Sequence, residues 1–285
     1  MIALCQRAAG SCGACCGLYN AHDLSRDALR AELRRRTARV ATAPRTLAGF
    51  RAAAADLAPG LPEPLFPSVR VCALLGFLDA SETRVGCLAH PLSTRAAGED
   101  RGPDLRDAGV YDAGICESFL CPSHSWLNEE EATLVELATG DFHLYGLVVT
   151  DVPFFRACLA GVAARAGEAV RARHLAHAPF AAGLKRLLAL KEELAPGSDG
   201  LFGAFKPAPD GGEAPRRIDY EALGRPASPY DEILLCAGAD PRSGNDLDAL
   251  EAEVVRRLDG AVRAFPGVVP RRRAAARPYA RDERE

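Results

Sequence analysis

Four of the ten cysteines in this 285-residue chain fall in one glycine-spaced stretch, CQRAAGSCGACC over residues 5–16. Four more, Cys72, Cys87, Cys116 and Cys121, follow in the same half, and only Cys158 and Cys236 lie beyond them. A chain of this length buries a hydrophobic core without covalent staples. The thiols therefore need a chemical reason. Arg7 and the cysteines interrupt residues 1–10 before an apolar run of ~7 to 15 residues can form, so the start does not read as a secretory signal. No stretch reaches the ~18 consecutive apolar residues of a membrane span. The expected setting is a reducing, cytoplasmic one, in which clustered cysteines bind metal or carry out catalysis rather than pair as disulfides.

The spacing is Cys5-x6-Cys12-x2-Cys15-Cys16, then Cys72-x14-Cys87-x28-Cys116-x4-Cys121. A Cys-x2-Cys step such as Cys12 to Cys15 lets two sulfurs meet one metal, because Gly13 and Ala14 permit a tight turn. Consecutive residues point their side chains apart, so Cys15 and Cys16 are awkward ligands for one tetrahedral ion and natural ligands for two neighbouring centres. One polynuclear cluster or two sites is thus expected in place of a single zinc knuckle.

Read in order, the chain places these thiols on a mostly α fold with a small β-hairpin. Asp23 or Ser25 can cap a helix with Leu29, Leu33 and Val40 on one face and Arg30, Arg34, Arg35 and Arg39 turned away. An alanine-rich helix over 46–57 follows and ends at the proline-rich connector containing Pro59, Pro62, Pro64 and Pro67. Residues 70–78 and 84–88 read as hairpin strands around a polar turn, with Cys72 and Cys87 on the two arms. His90 and Pro91 break the second strand, and residues 93–114 read as a long functional loop. Asn128 and Glu131 fit a capping box for a helix through Leu134 and Leu137. Asp151 and Pro153 open another helix with Phe154, Phe155, Cys158, Leu159 and Val162 on its apolar side, where Cys158 is core. An irregular segment spans 195–229, an apolar run resumes over 230–236, and Asn245 caps a last amphipathic helix from Leu247 to Phe265. The predicted organisation is a cysteine-cluster domain over 1–127, a helical scaffold over 128–266 and a disordered tail over 267–285.

The N-terminal Cys-x2-Cys-Cys box, the hairpin with Cys72 and Cys87, His90-Pro91, and the box Cys116-Glu-Ser-Phe-Leu-Cys121 together resemble the YkgJ-like cysteine-cluster family over about residues 5–127. Its members are described as zinc- or iron-chelating, and flagellin lysine N-methylase is a related member. The resemblance implies that Cys12, Cys15, Cys16, Cys72, Cys87 and Cys116, with Cys5 and Cys121, are metal ligands. The long loop between Cys87 and Cys116 departs from the family pattern. All-thiolate sets suit zinc and iron-sulfur clusters alike. Only one Cys-x2-Cys arm is present, whereas zinc knuckles pair two, so the expected cofactor is an iron-sulfur cluster, with zinc as the alternative. His124 and His90 are further candidate ligands, ahead of His22, His143, His174 and His177.

Three functions compete: a metal centre that stabilises the fold or passes electrons, a protein-lysine N-methyltransferase-like enzyme implied by the resemblance, and a thiol redox protein using Cys15 and Cys16. Gly-x-Ser-x-Gly and Gly-x4-Gly-Lys-Ser/Thr boxes are absent, and so is a radical Cys-x3-Cys-x2-Cys motif. Catalytic residues are not assigned. A net charge of -3 argues against nucleic acid as the partner; the partner is not assigned, a protein partner or substrate being one candidate.

Overall fold

A computed structural model describes residues 4–93, 102–194, 203–208 and 211–267. The first described element is a single 3-10 turn, Ala14–Cys16, within the thiol loop. Helix α1 (Arg26–Ala41) starts at Ser25, whose side chain accepts from the Ala28 amide at 3.3 Å. Leu29, Leu33 and Val40 are buried along it as their spacing requires, and each contributes roughly 1.5–3 kcal/mol of burial. Arg36 is buried with them, although its type predicts an outward face. Helix α2 (Leu47–Leu57) follows Thr46, which caps it through the Gly49 amide.

Strands β1 (Leu75–Phe77) and β2 (Val85–Cys87) form the expected antiparallel hairpin, with Leu75 opposite Cys87. It is shorter than the apolar run of 70–78 suggests. Cys72 therefore sits just before β1, in backbone that is free to turn toward the thiol loop, and only Cys87 lies in a strand. The predicted long loop is partly structured: Arg106–Ala108 forms a 3-10 turn, and helix α3 (Ala113–Ser118) begins before the loop was expected to end. Helix α4 (Ser123–Trp126) leads to α5 (Glu129–Thr139), where Asn128 and Glu131 make the full capping box, an interaction of ~1 kcal/mol. Leu134 faces the core, but Leu137 is exposed.

Helices α6 (Phe142–Val149) and α7 (Val152–Ala166) meet at Asp151, which caps α7 through the Phe154 amide at 3.2 Å. Helices α8 (Ala178–Leu188) and α9 (Leu190–Glu193) follow, then a hairpin of β3 (Phe205–Pro207) and β4 (Glu213–Pro215). Helix α10 (Asp231–Cys236) accounts for the apolar run at 230–236. The last helix, α11 (Gly244–Arg263), is capped by Ser243 rather than Asn245. Ser243 has extended backbone and accepts from the Asp246 amide at 3.1 Å, whereas Asn245 is already inside the first turn. The expected tail falls outside the described residues from 268 onward.

The fold is mostly α with two small hairpins. One core runs from Leu4 and Tyr19 through α5, α6 and α7 to Phe265, so the N-terminal thiol loop packs on the later helices. A smaller core of Val40, Phe50, Leu57, Leu74 and Leu105 lies under α2 and the first hairpin, and Cys72 is part of it. No single helix among the described residues is long and apolar enough to cross a membrane.

Candidate metal centre

The thiol loop is fastened on two sides. Toward the hairpin, the Val85 amide donates to Ser11 Oγ at 2.9 Å, and Gln6 Nε2 donates to the Val85 carbonyl at 3.0 Å. Arg84 donates to the Arg7 and Ala8 carbonyls, both at 3.1 Å. Toward the helices, buried Arg7 pairs with Glu136 at 2.5 Å and with Glu129 at 2.8 Å, both on α5. Tyr145 on α6 donates to the Leu4 carbonyl at 2.5 Å. These contacts hold the loop that carries Cys5, Cys12, Cys15 and Cys16 between the hairpin and the helices.

Within the loop, the Cys12 amide donates to the Cys5 carbonyl at 3.2 Å, and the Ala14 amide reaches Cys12 Sγ at 3.4 Å. The 3-10 turn then carries Cys15 and Cys16, whose sulfurs lie 4.0 Å apart. Gly17 ends the turn at φ 80°, and a Cβ there would come within 2.5 Å of the Arg70 carbonyl oxygen. Only glycine supplies both the left-handed backbone and that close approach. The contact sets the loop against the strand entrance, where the Cys72 amide donates to the Cys16 carbonyl at 2.9 Å. The buried Arg36 guanidinium donates to the Cys72 carbonyl at 3.0 Å. A Cβ on Gly109 would lie 3.3 Å from Cys72 Sγ, so the chain leading to α3 passes over that thiol.

The electrostatics sort the eight thiols. Burial pushes the Cys5 thiol up to about 11, helped by the nearby charges of Cys15 and Cys121. Cys12 rises well above its ordinary range, again through burial first, with Cys15, Cys5 and Cys121 as its charged neighbours. Cys16 is raised because its thiol hydrogen-bonds to Cys15 and because it is buried, and it also feels Cys72 and Cys87. Burial pushes Cys87 up to about 12, with Cys72 and Cys116 adding to it. Cys116 is raised by burial and by Cys72, against the pull of Arg106, with Cys15 adding to the rise. Cys15 is lowered, to about 7, chiefly by its hydrogen bond with the Cys16 thiol.

Two sets emerge. Cys5 and Cys12 each feel Cys15 and Cys121, while Cys16, Cys87 and Cys116 each feel Cys72; the sets meet at Cys15, which also reaches Cys16 and Cys116. Each set holds one buried thiol, two half-buried ones and one exposed one. Among the described residues, no three His, Cys, Asp or Glu side chains stand closely enough to hold a metal ion as they are.

The remaining sequence candidates lie apart or have local partners. His90 Nδ1 accepts from the Leu92 amide at 3.1 Å, and the His124 amide donates to the Cys121 carbonyl at 2.9 Å. His143 is buried with its ring nitrogen 2.8 Å from the Leu24 carbonyl. His174 is buried in ring contact with Phe265, while His22 and His177 are exposed. Cys158 and Cys236 are buried among the helices, away from the other eight in sequence and in set. Arg36 and Arg106 escaped the sequence reading because nothing in their neighbours marks an arginine as inward-facing. Comparison of the chain with protein-family models, curated proteins and solved structures finds no match.

Proposed function

We propose that this chain is a metal-binding protein whose eight N-terminal cysteines serve two four-thiolate centres, Cys5/Cys12/Cys15/Cys121 and Cys16/Cys72/Cys87/Cys116. The observation that carries the reading is the division at adjacent residues. Cys15 acts on Cys5 and Cys12, whereas Cys16 feels Cys72 and Cys87, as consecutive side chains on two adjoining centres would; Cys15 also reaches Cys116, so the centres adjoin there as well. The Ala14 amide directed at Cys12 Sγ suits a thiolate in a bound state. The donor chemistry fits the group: all-sulfur sets select iron-sulfur clusters or zinc over hard cations.

Iron-sulfur clusters are the first assignment and zinc the second, in keeping with the single Cys-x2-Cys arm and with the resemblance to the YkgJ-like family. The bound centres would tie the loop, the hairpin and α3 together and, as iron-sulfur clusters, could pass electrons. A reducing compartment suits reduced ligand thiols. The clustering of Cys15 and Cys16 with six other thiols supports a metal role over an isolated thiol-disulfide pair.

The test is anaerobic purification followed by metal and sulfide analysis and an absorption spectrum. Iron with equimolar sulfide and a broad visible band supports clusters, and zinc without colour supports the second assignment. Protein that is fully folded and holds neither metal refutes the reading.

A further inference from the structure

Between Gly109 and Pro122 no residue is buried, and α3 buries none of its side chains. Seven large apolar residues are exposed among the described residues, and five of them lie in one short stretch: Val110, Ile115, Phe119, Leu120 and Trp126, the last four 48–60% exposed. An apolar concentration of this kind on a surface marks something that becomes covered. The segment is fixed at both ends, by buried Leu105, Arg106 and Ala108 before it and by Ser123 and Leu127 after it. Its own hydrogen bonds, among the described residues, stay local: Ala113 to Asp107 at 2.7 Å and Ile115 to Asp112 at 2.8 Å. Arg106 and Glu117 add an ion pair at 3.8 Å.

The same segment delivers one thiol to each set, Cys116 to the set with Cys72 and Cys121 to the set with Cys5 and Cys12. We propose that residues 109–122 form a strap that closes on metal capture: Cys116 and Cys121, taken into opposite centres, draw it onto the thiol loop and the first hairpin and cover its apolar side chains. The inference rests on the two-centre reading above and adds a moving part to it. Because both ends of the strap are already fixed, closing it orders few residues and costs little loop entropy. Filling one centre brings the strap's other thiol near the second centre, so the two metals bind with positive cooperativity. The strap also explains why the thiols fall into sets without enclosing an ion as they stand.

The experiment compares metal-free protein, zinc-loaded protein and protein reconstituted anaerobically with iron and sulfide. Limited chymotrypsin digestion is read at Phe119 and Leu120, with metal content measured on the same samples. Cleavage there slows by about tenfold or more when metal is bound, since ligand binding opposes opening. A Cys116→Ser/Cys121→Ser double variant, altered only at exposed and half-buried positions, is cut at the metal-free rate whether or not zinc is present. Metal bound with cleavage at Phe119 and Leu120 unchanged overturns the strap and leaves the metal reading standing, as does protection that persists in the double variant. Failure of every preparation to hold metal overturns both.

Discussion

The Cys72 amide donates to the Cys16 carbonyl at 2.9 Å, and this backbone bond joins the hairpin to the thiol loop. It exists because Gly17 lets the loop lie against Arg70 and Val71. The proposed centre that holds Cys16 and Cys72 therefore depends on a contact between their backbones as well as on their sulfurs.

Replacing Gly17 tests that contact. Gly17→Ala forces a Cβ to 2.5 Å from the Arg70 carbonyl and strains the left-handed backbone. A loss of more than ~1 kcal/mol in unfolding free energy is expected, with a drop in metal content of the folded protein. Denaturant melts and metal analysis read the two effects.

Arg36 holds the other side of the same residue. Its Nη1 donates to the Cys72 carbonyl, and its Nε pairs with Glu32 at 2.6 Å. Arg36→Ala removes a buried guanidinium and leaves the Cys72 carbonyl with only the long contact from the Leu75 amide at 3.5 Å, while Glu32 keeps Arg35, a change of about 1–3 kcal/mol. Arg36→Lys is expected to recover only part, because an ammonium does not reproduce the guanidinium's planar fork. Thermal melts of the two variants decide it.

In metal-free protein, alkylation should begin at Cys15. Its thiol is lowered to about 7, mainly by the hydrogen bond from Cys16, and it is exposed. Labelling by iodoacetamide, followed by peptide mass spectrometry, is expected to rise through pH 7 at Cys15 and to leave Cys12 unmodified up to pH 9. The raised thiols act in the opposite sense on stability. Cys5 at about 11 and Cys87 at about 12 stay protonated in the folded chain above their ordinary value of 9.0. Their contribution is complete below pH 9 and is lost as pH climbs through 11 to 12. Metal binding must expel those protons, so zinc affinity should strengthen from pH 6 to pH 8.

Lys191 tests the scaffold separately. It is fully buried and binds Asp151 and the Cys236 carbonyl, joining α9, the α6–α7 junction and the end of α10. Lys191→Met leaves Asp151 as an uncompensated buried charge and is expected to destabilise by about 3–5 kcal/mol. Metal content per folded molecule should be unchanged, which elemental analysis of the soluble fraction checks. A matching loss of metal would mean that the helices and the thiol region are not separable.

Elements with amphipathic spacing or a capping pair were readable in the sequence. Helix α1 showed itself through Leu29, Leu33 and Val40, and α5 through Asn128 and Glu131. Helix α6 did not, because all eight of its residues are buried and an all-round apolar segment has no period to detect. Ser243 was passed over for Asn245 because both are good caps and only backbone geometry separates them. The thiol inventory was visible, but the pairing of Cys121 with Cys5 and Cys12, and of Cys116 with Cys72, was not. That pairing depends on how α3 crosses between Gly109 and Ser123, a path set by tertiary contacts rather than by local spacing.

The most direct measurement is the metal content of Cys15→Ser and Cys16→Ser proteins, purified anaerobically beside the unaltered chain. Two centres that divide at this step predict that each variant keeps one full centre, about half the metal, with distinct spectra for the two. Metal lost entirely in both variants would indicate one shared centre. Metal retained in full in both, or absent from the unaltered protein, would contradict the account.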